Sequence, residues 1–164
     1  DEIIEQDELV VLFSQYLDML DLFEMVFERR GVSFIRLDGS VSVDARQRRI
    51  DRLNDRRAQV ALCSLQAVGH GVNLTAANHV VHVDRWWNPA IEDQATDRLH
   101  RIGQRETVFV HYVQASDTLE EKIASLQERK RGMSDRIMSA ADRGELKWSR
   151  DELLELLKPL DQVQ

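Results

Sequence analysis

The sequence predicts an α/β fold with a mostly parallel sheet and helices on both faces. Short apolar or β-branched runs alternate with longer stretches whose apolar residues recur at spacings of three and four. That alternation is the signature of right-handed strand–helix–strand units. The first run, Leu9-Val10-Val11-Leu12-Phe13, is apolar throughout, as a strand covered on both faces must be. The length of 164 residues and mass of 19.0 kDa suit one compact domain.

Taken in order, Leu9 to Phe13 is the first strand, and Ser14 is placed to cap a helix carrying Leu17, Leu20, Phe23 and Phe27. Gly31 stands where a helix favours glycine beyond its C-terminus. Val32 to Leu37 is the second strand, closed by the Asp38-Gly39 turn signal. Residues 43–54 form a basic amphipathic helix with Ile50 and Leu53 inward and Arg46, Arg48, Arg49 and Arg52 around them. Gln59 to Cys63, His79 to Asp84 and Val108 to Val113 are the remaining strands. Asn88-Pro89 opens the next helix, since asparagine caps well and proline at the first position lacks only a donor that has no partner there. Thr118-Leu-Glu-Glu121 matches a capping box for a helix over 118–139, and Ser149 to Leu157 reads as a short tail helix. The domain division is therefore 1–139 and a linker with helix over 140–164.

Hydrophobic residues at 43% and charged residues at 31% exclude a disordered or fibrous chain. No apolar run is long enough to span a bilayer, so no membrane role is expected. The lone Cys63 excludes an internal disulfide framework and reads as a small buried hydrophobe. The net charge of −7 is local: residues 1–30 carry nine acids against Arg29 and Arg30, while the rest balances at 20 and 20. Bulk charge thus neither opposes nor supports a phosphate-binding face, because affinity follows local basic surface. No metal site is expected: His79 and His82, three apart on a strand, face opposite ways, and His70, His100 and His111 lack partners at ligand spacing.

Parallel sheets gather ligands at the carboxyl ends of their strands, and the informative residues are expected there. Continued helical spacing places Gln94, Arg98 and Arg101 on one stripe, an amide and two guanidiniums suited to polyphosphate. Spacing alone favours a solvated face in which the arginines pair with nearby acids such as Asp97 or Glu92, at about 0.3–0.5 kcal/mol per pair. Ser64 to Thr75, with Gly69 and Gly71, suits either a phosphate-approaching loop or a plain turn. Leu37-Asp-Gly-Ser40 is a turn whose hydroxyl and amides could meet a nucleic-acid backbone. Trp86 and Trp87 are expected to pack at a strand–helix junction rather than stack on bases. No GxxxxGK[ST] loop occurs, so this chain alone is not a nucleotide hydrolase.

Together and in order, these segments resemble the C-terminal RecA-like lobe of SWI/SNF-type ATPases of helicase superfamily two. The resemblance covers about residues 9–135. Val11 to Gln15 with Met19 to Leu22 resembles motif IV, and Arg36-Leu-Asp-Gly-Ser40 with Arg46-Gln47 resembles the next block. Ser64 to Thr75 with Ala76-Ala77 resembles motif V, and Trp87-Asn88-Pro89 through His100-Arg-Ile-Gly-Gln104 resembles motif VI. Thr118 to Ile123 and Gln127 to Lys130 resemble a helix that braces two lobes. Val68-Gly69 departs from the family's usual Gly-Gly pair.

The resemblance implies a RecA-like lobe acting on ATP with Mg2+ held mainly by an N-terminal lobe. It implies Arg98 and Arg101 as arginine fingers, Gln94 as their positioning partner, and Gly69, Gly71 and Asn73 at the nucleotide. It further implies Ser14, Gly39, Ser40, Arg46 and Thr75 against the backbone of double-stranded DNA. The tail from Ala141 resembles bacterial members, for which a nucleoid-associated cytoplasmic setting follows; a eukaryotic origin implies the nucleus. The competing expectations are a non-catalytic DNA- or protein-binding module and an RNA helicase lobe. Gln104 disfavours the latter, since those relatives generally carry arginine there.

Overall fold

The computed structural model describes residues 2–67, 72–86, 88–100, 104, 106–118, 120–125, 127–128 and 132. The chain divides into two compact units, Asp1–Gln127 and Glu128–Gln164. The first contains, in chain order, α1 (Glu2–Glu5), β1 (Val10–Ser14), α2 (Leu17–Arg30), β2 (Phe34–Leu37), α3 (Val43–Asn54), β3 (Val60–Ser64), β4 (His79–His82), α4 (Pro89–Thr96) and β5 (Phe109–Tyr112). Residues 120–125 and 127–128 are also helical. Most of the expected 118–139 helix beyond them, the boundary at 139 and the tail helix lie outside the described residues.

All four strand pairings are parallel, in the order β2-β3-β1-β4-β5. Every residue of β1 and β3 is buried, as their central positions and apolar sequences require. Alternate side chains feed two cores. On one face Val11, Phe13, Ile35, Leu37, Ala61, Cys63 and Val80 pack with Ile50 and Leu53 of α3 and Ala95 of α4. On the other, Val10, Leu12, Val60 and Leu62 pack with Leu20 and Phe27 of α2, while Ile3 and Ile4 of α1 border them. Helices therefore cover both faces, as expected. β5 is an edge strand with all four residues exposed.

The helix ends follow local chemistry. α2 closes on Gly31 at φ 67°, with the Gly31 amide on Glu28 O and the Val32 amide on Phe27 O at 3.2 and 3.0 Å. Positive φ is what a glycine there supplies without steric cost. The Ser42 hydroxyl caps α3 by accepting from the Ala45 amide, and the Asn88 side chain caps α4 by accepting from Ala90. One expected cap differs. Ser14 is the last residue of β1, and Tyr16 occupies the N-cap of α2 without a side-chain bond.

Candidate functional site

The turn after β2 is built around Asp38, which is 4% exposed. Its Oδ1 accepts from the Ser40 amide at 2.8 Å and the Ser40 hydroxyl at 2.6 Å, and its Oδ2 from Arg36 Nε at 2.5 Å. Burial opposes the Asp38 charge, yet the Ser40 bonds and Arg36 together hold its carboxyl below the usual range. Arg36 also binds Asp21 and Glu24; burial works against its charge, and the three carboxylates outweigh that and raise its pKa further. The turn is thereby fixed from beneath while its crest is open. Gly39 and Ser40 are exposed, and nothing lies within 4 Å of where a Cβ on Gly39 would stand.

Arg46 of α3 is not presented to solvent as a free cation. Its Nη2 donates to the Asp38 carbonyl at 3.3 Å and its Nη1 to the Ala67 carbonyl at 3.4 Å. Two of its N–H donors are thus engaged by backbone oxygens. Ser14 is 0% exposed, its hydroxyl donates to Asp84 Oδ2, and it accepts from the Tyr16 amide at 3.0 Å.

The segments resembling motifs V and VI meet through one backbone–backbone bond and one side-chain–backbone bond. The Leu74 amide donates to the Arg98 carbonyl at 3.3 Å, and Gln104 Nε2 donates to the Ala77 carbonyl at 2.9 Å. Asn73 is exposed and Thr75 half-buried on the same segment. Gly69, Gly71, Val68 and Arg101 lie outside the described residues. The expectation that all informative residues sit at carboxyl strand ends holds for Gly39 and Ser40. Residues 73–77 lie on the chain leading into the amino end of β4, where Leu74 meets Arg98 from the turn after α4.

The single helical stripe is also corrected. α4 stops at Thr96, so Gln94 is an exposed helix residue whereas Arg98 sits in the following turn at 9% exposure. The turn tightens, with Arg98 and Leu99 amides on Ala95 and Thr96 carbonyls at 3.1 and 2.9 Å, so that Leu99 reaches the core at 0% exposure. Glu92 pairs with Arg85.

That pair belongs to a buried polar cluster that sequence reasoning missed. Arg85, Glu92 and Gln127 are 8% exposed or less. Glu92 accepts from Arg85 Nη2 at 3.2 Å and from the Trp86 amide at 2.7 Å. Gln127 accepts from Arg85 and donates to the Trp86 carbonyl, while the Arg85 guanidinium lies 4.2 Å from the Tyr112 ring centroid. Gln15 reaches in from the end of β1, its amide on Asp84 Oδ1 at 3.1 Å. The loop between β4 and α4 is thus gripped from three elements. Trp86 packs against the core, as expected; Trp87 lies outside the described residues.

His79 and His82 do face opposite sides of β4, but His79 has a partner that spacing could not reveal. His111 of β5 places Nε2 3.1 Å from His79 Nδ1. Burial, then His111, lowers the His79 pKa against the opposing pull of Glu8. Cys63 is 0% exposed and its thiol pKa is pushed up by burial, which fits the hydrophobe expected. Among the described residues no group of three His, Cys, Asp or Glu could hold a metal ion, and no helix is long and apolar enough to cross a membrane.

Comparison with known proteins shows the family and the fold. The helicase conserved C-terminal domain matches residues 1–103. The chain is 42% identical over 151 residues to the DNA repair protein RAD5B of Arabidopsis thaliana, covering 92% of this chain and 12% of that protein. It is 41% identical over 136 residues to the putative ATP-dependent helicase/translocase YwqA of Bacillus subtilis, covering 82% and 15%. It is 40% identical over 156 residues to the DNA repair protein rhp54 of Schizosaccharomyces pombe, covering 94% and 18%. The chain thus spans less than a fifth of the length of these curated relatives. Among solved structures, the C-terminal part of the Fun30 ATPase domain superposes with a TM-score of 0.72 at 39% identity, covering 76% of this chain and 40% of that one. The fold is RecA-like, and the chain belongs to the helicase conserved C-terminal domain family in its SWI/SNF-type branch.

Proposed function

We propose that this chain is the second motor lobe of an ATP-dependent double-stranded DNA translocase, working with an N-terminal lobe that holds ATP and Mg2+. The observation that carries the reading is the backbone bond from Leu74 to Arg98, which joins the glycine-containing segment to the arginine turn. Asn73, Gln94 and Arg98 carry amide and guanidinium donors of the kind suited to phosphate oxygens. The carboxylates that hold Mg2+ are assigned to the companion lobe.

ATP, when bound, supplies the anhydride bond whose cleavage drives the motor. Arg98 and Arg101 serve as the arginine pair that stabilises charge spreading over the transferred phosphoryl oxygens, worth about 10³–10⁵ in rate. Arg98 is buried, at 9% exposure. Gln94 positions the pair, and Gly69, Gly71 and Asn73 link it to the nucleic-acid face. Gly39, Ser40 and Thr75 contact one DNA strand's backbone, reading no bases. Closing and opening of the lobes steps the protein along DNA, in whichever compartment holds that DNA. The 164-residue chain alone is inactive as a hydrolase. ATP turnover of the full-length protein, measured with duplex DNA and with single-stranded RNA, tests the reading: stimulation by the duplex is expected, and stimulation by RNA alone would reject it.

A further inference from the structure

We infer that Arg46 is a positioning residue that locks the exposed 38–40 turn to the end of the third strand, so that nucleotide-linked movement beyond Ala67 is carried into the DNA-facing turn. The inference rests on the proposed function for its consequence but on geometry for its substance. β2 and β3 are neighbours in register, with Leu37 beside Cys63, so the connections leaving them start side by side. Arg46 projects from α3 into the gap between those connections. One arm of its guanidinium holds Asp38 O and the other Ala67 O, at 3.3 and 3.4 Å. Its Nε is buried without a hydrogen-bond partner.

No carboxylate among the described residues forms an ion pair with Arg46, so its planar fork joins two neutral carbonyls. The two ends it joins have distinct duties. Asp38 O belongs to the turn that presents Gly39 and Ser40, and the same carbonyl accepts from the Val41 amide at 3.3 Å. Ala67 O is the last described carbonyl before the segment carrying Gly69 and Gly71, and the Ala67 amide is itself held by Ser64 Oγ at 3.2 Å. A rigid two-armed donor between them makes the two connections one body. Lysine's ammonium has three rotatable donors on a flexible stem and no rigid fork, so it does not fix the two carbonyls in one geometry.

The test uses the full-length protein with Arg46→Ala and Arg46→Lys, a duplex oligonucleotide, and two readouts. One is the slope of log binding constant against log salt concentration; the other is the DNA-stimulated part of ATP turnover. A positioning role leaves the salt slope of both variants equal to the parent's and lowers the stimulated turnover of both by about tenfold. A direct phosphate contact makes the Ala slope shallower by about 0.9 with rescue by Lys, and that result overturns the inference. Stimulation equal to the parent's in both variants overturns it as well. Should the parent show no DNA stimulation, the proposed function fails while the lock is still readable by hydrogen exchange on the 164-residue chain. In Arg46→Ala the amides of Ser40, Val41 and Ala67 are then expected to lose protection together, and loss at one connection alone contradicts the lock.

Discussion

Replacing Glu92 with alanine removes the carboxylate at the centre of the buried cluster. Glu92 is 0% exposed; it accepts from the Trp86 amide at 2.7 Å and from Arg85 at 3.2 Å, and Arg85 is itself only 7% exposed. The variant leaves a guanidinium in the interior without its counter-charge. Breaking a buried pair in this way costs about 3–5 kcal/mol, a large share of the 5–15 kcal/mol that holds a typical domain folded. Urea unfolding of the 164-residue chain, followed by tryptophan fluorescence, reads the loss as a fall in midpoint at unchanged slope. The double variant Arg85→Met/Glu92→Leu removes both charges and is expected to recover most of the stability, because desolvating the pair roughly offsets its attraction. A single variant as stable as the parent, or a double variant no better than the single, would refute the reasoning.

Two further outcomes follow from the described groups. The His79 pKa is depressed in the folded chain, so the unfolded state binds more protons below the ordinary histidine value of about 6.5. Stability is therefore full above that pH and falls as pH drops through the lower folded value; in His111→Leu, which removes one of the two named causes, the urea midpoint is expected to fall less between pH 7.5 and 5.5 than in the parent. Equal falls would show that His111 plays no part. Cys63, buried with a raised thiol pKa, is expected to react with an alkylating reagent only as fast as the domain opens, and rapid labelling of the native chain would contradict its placement.

The sheet was legible because its strands carry their own signals. Val10 to Phe13 and Val60 to Cys63 are apolar on both faces, which only central parallel strands require, and both proved fully buried. Asn88-Pro89 and the 43–54 helix were legible from capping and periodicity, which are local. What escaped is non-local. Ser14 bonds Asp84 across 70 residues, and Arg85 meets Gln127 across 42. Capping propensity at Ser14 was real but lost to that distant carboxylate. His111 reaches His79 only because β4 and β5 pair in parallel with Val81 beside His111, placing it diagonally on the same face. Helical spacing continues past Thr96, yet α4 stops there because the Arg98 carbonyl is claimed by Leu74 and Leu99 is drawn into the core.

The arginine assignment is tested most directly by ATP turnover of the full-length protein with saturating duplex DNA, comparing the parent with Arg101→Ala. The account predicts a fall of about 10³-fold or more in turnover with DNA binding retained; turnover equal to the parent's would contradict it.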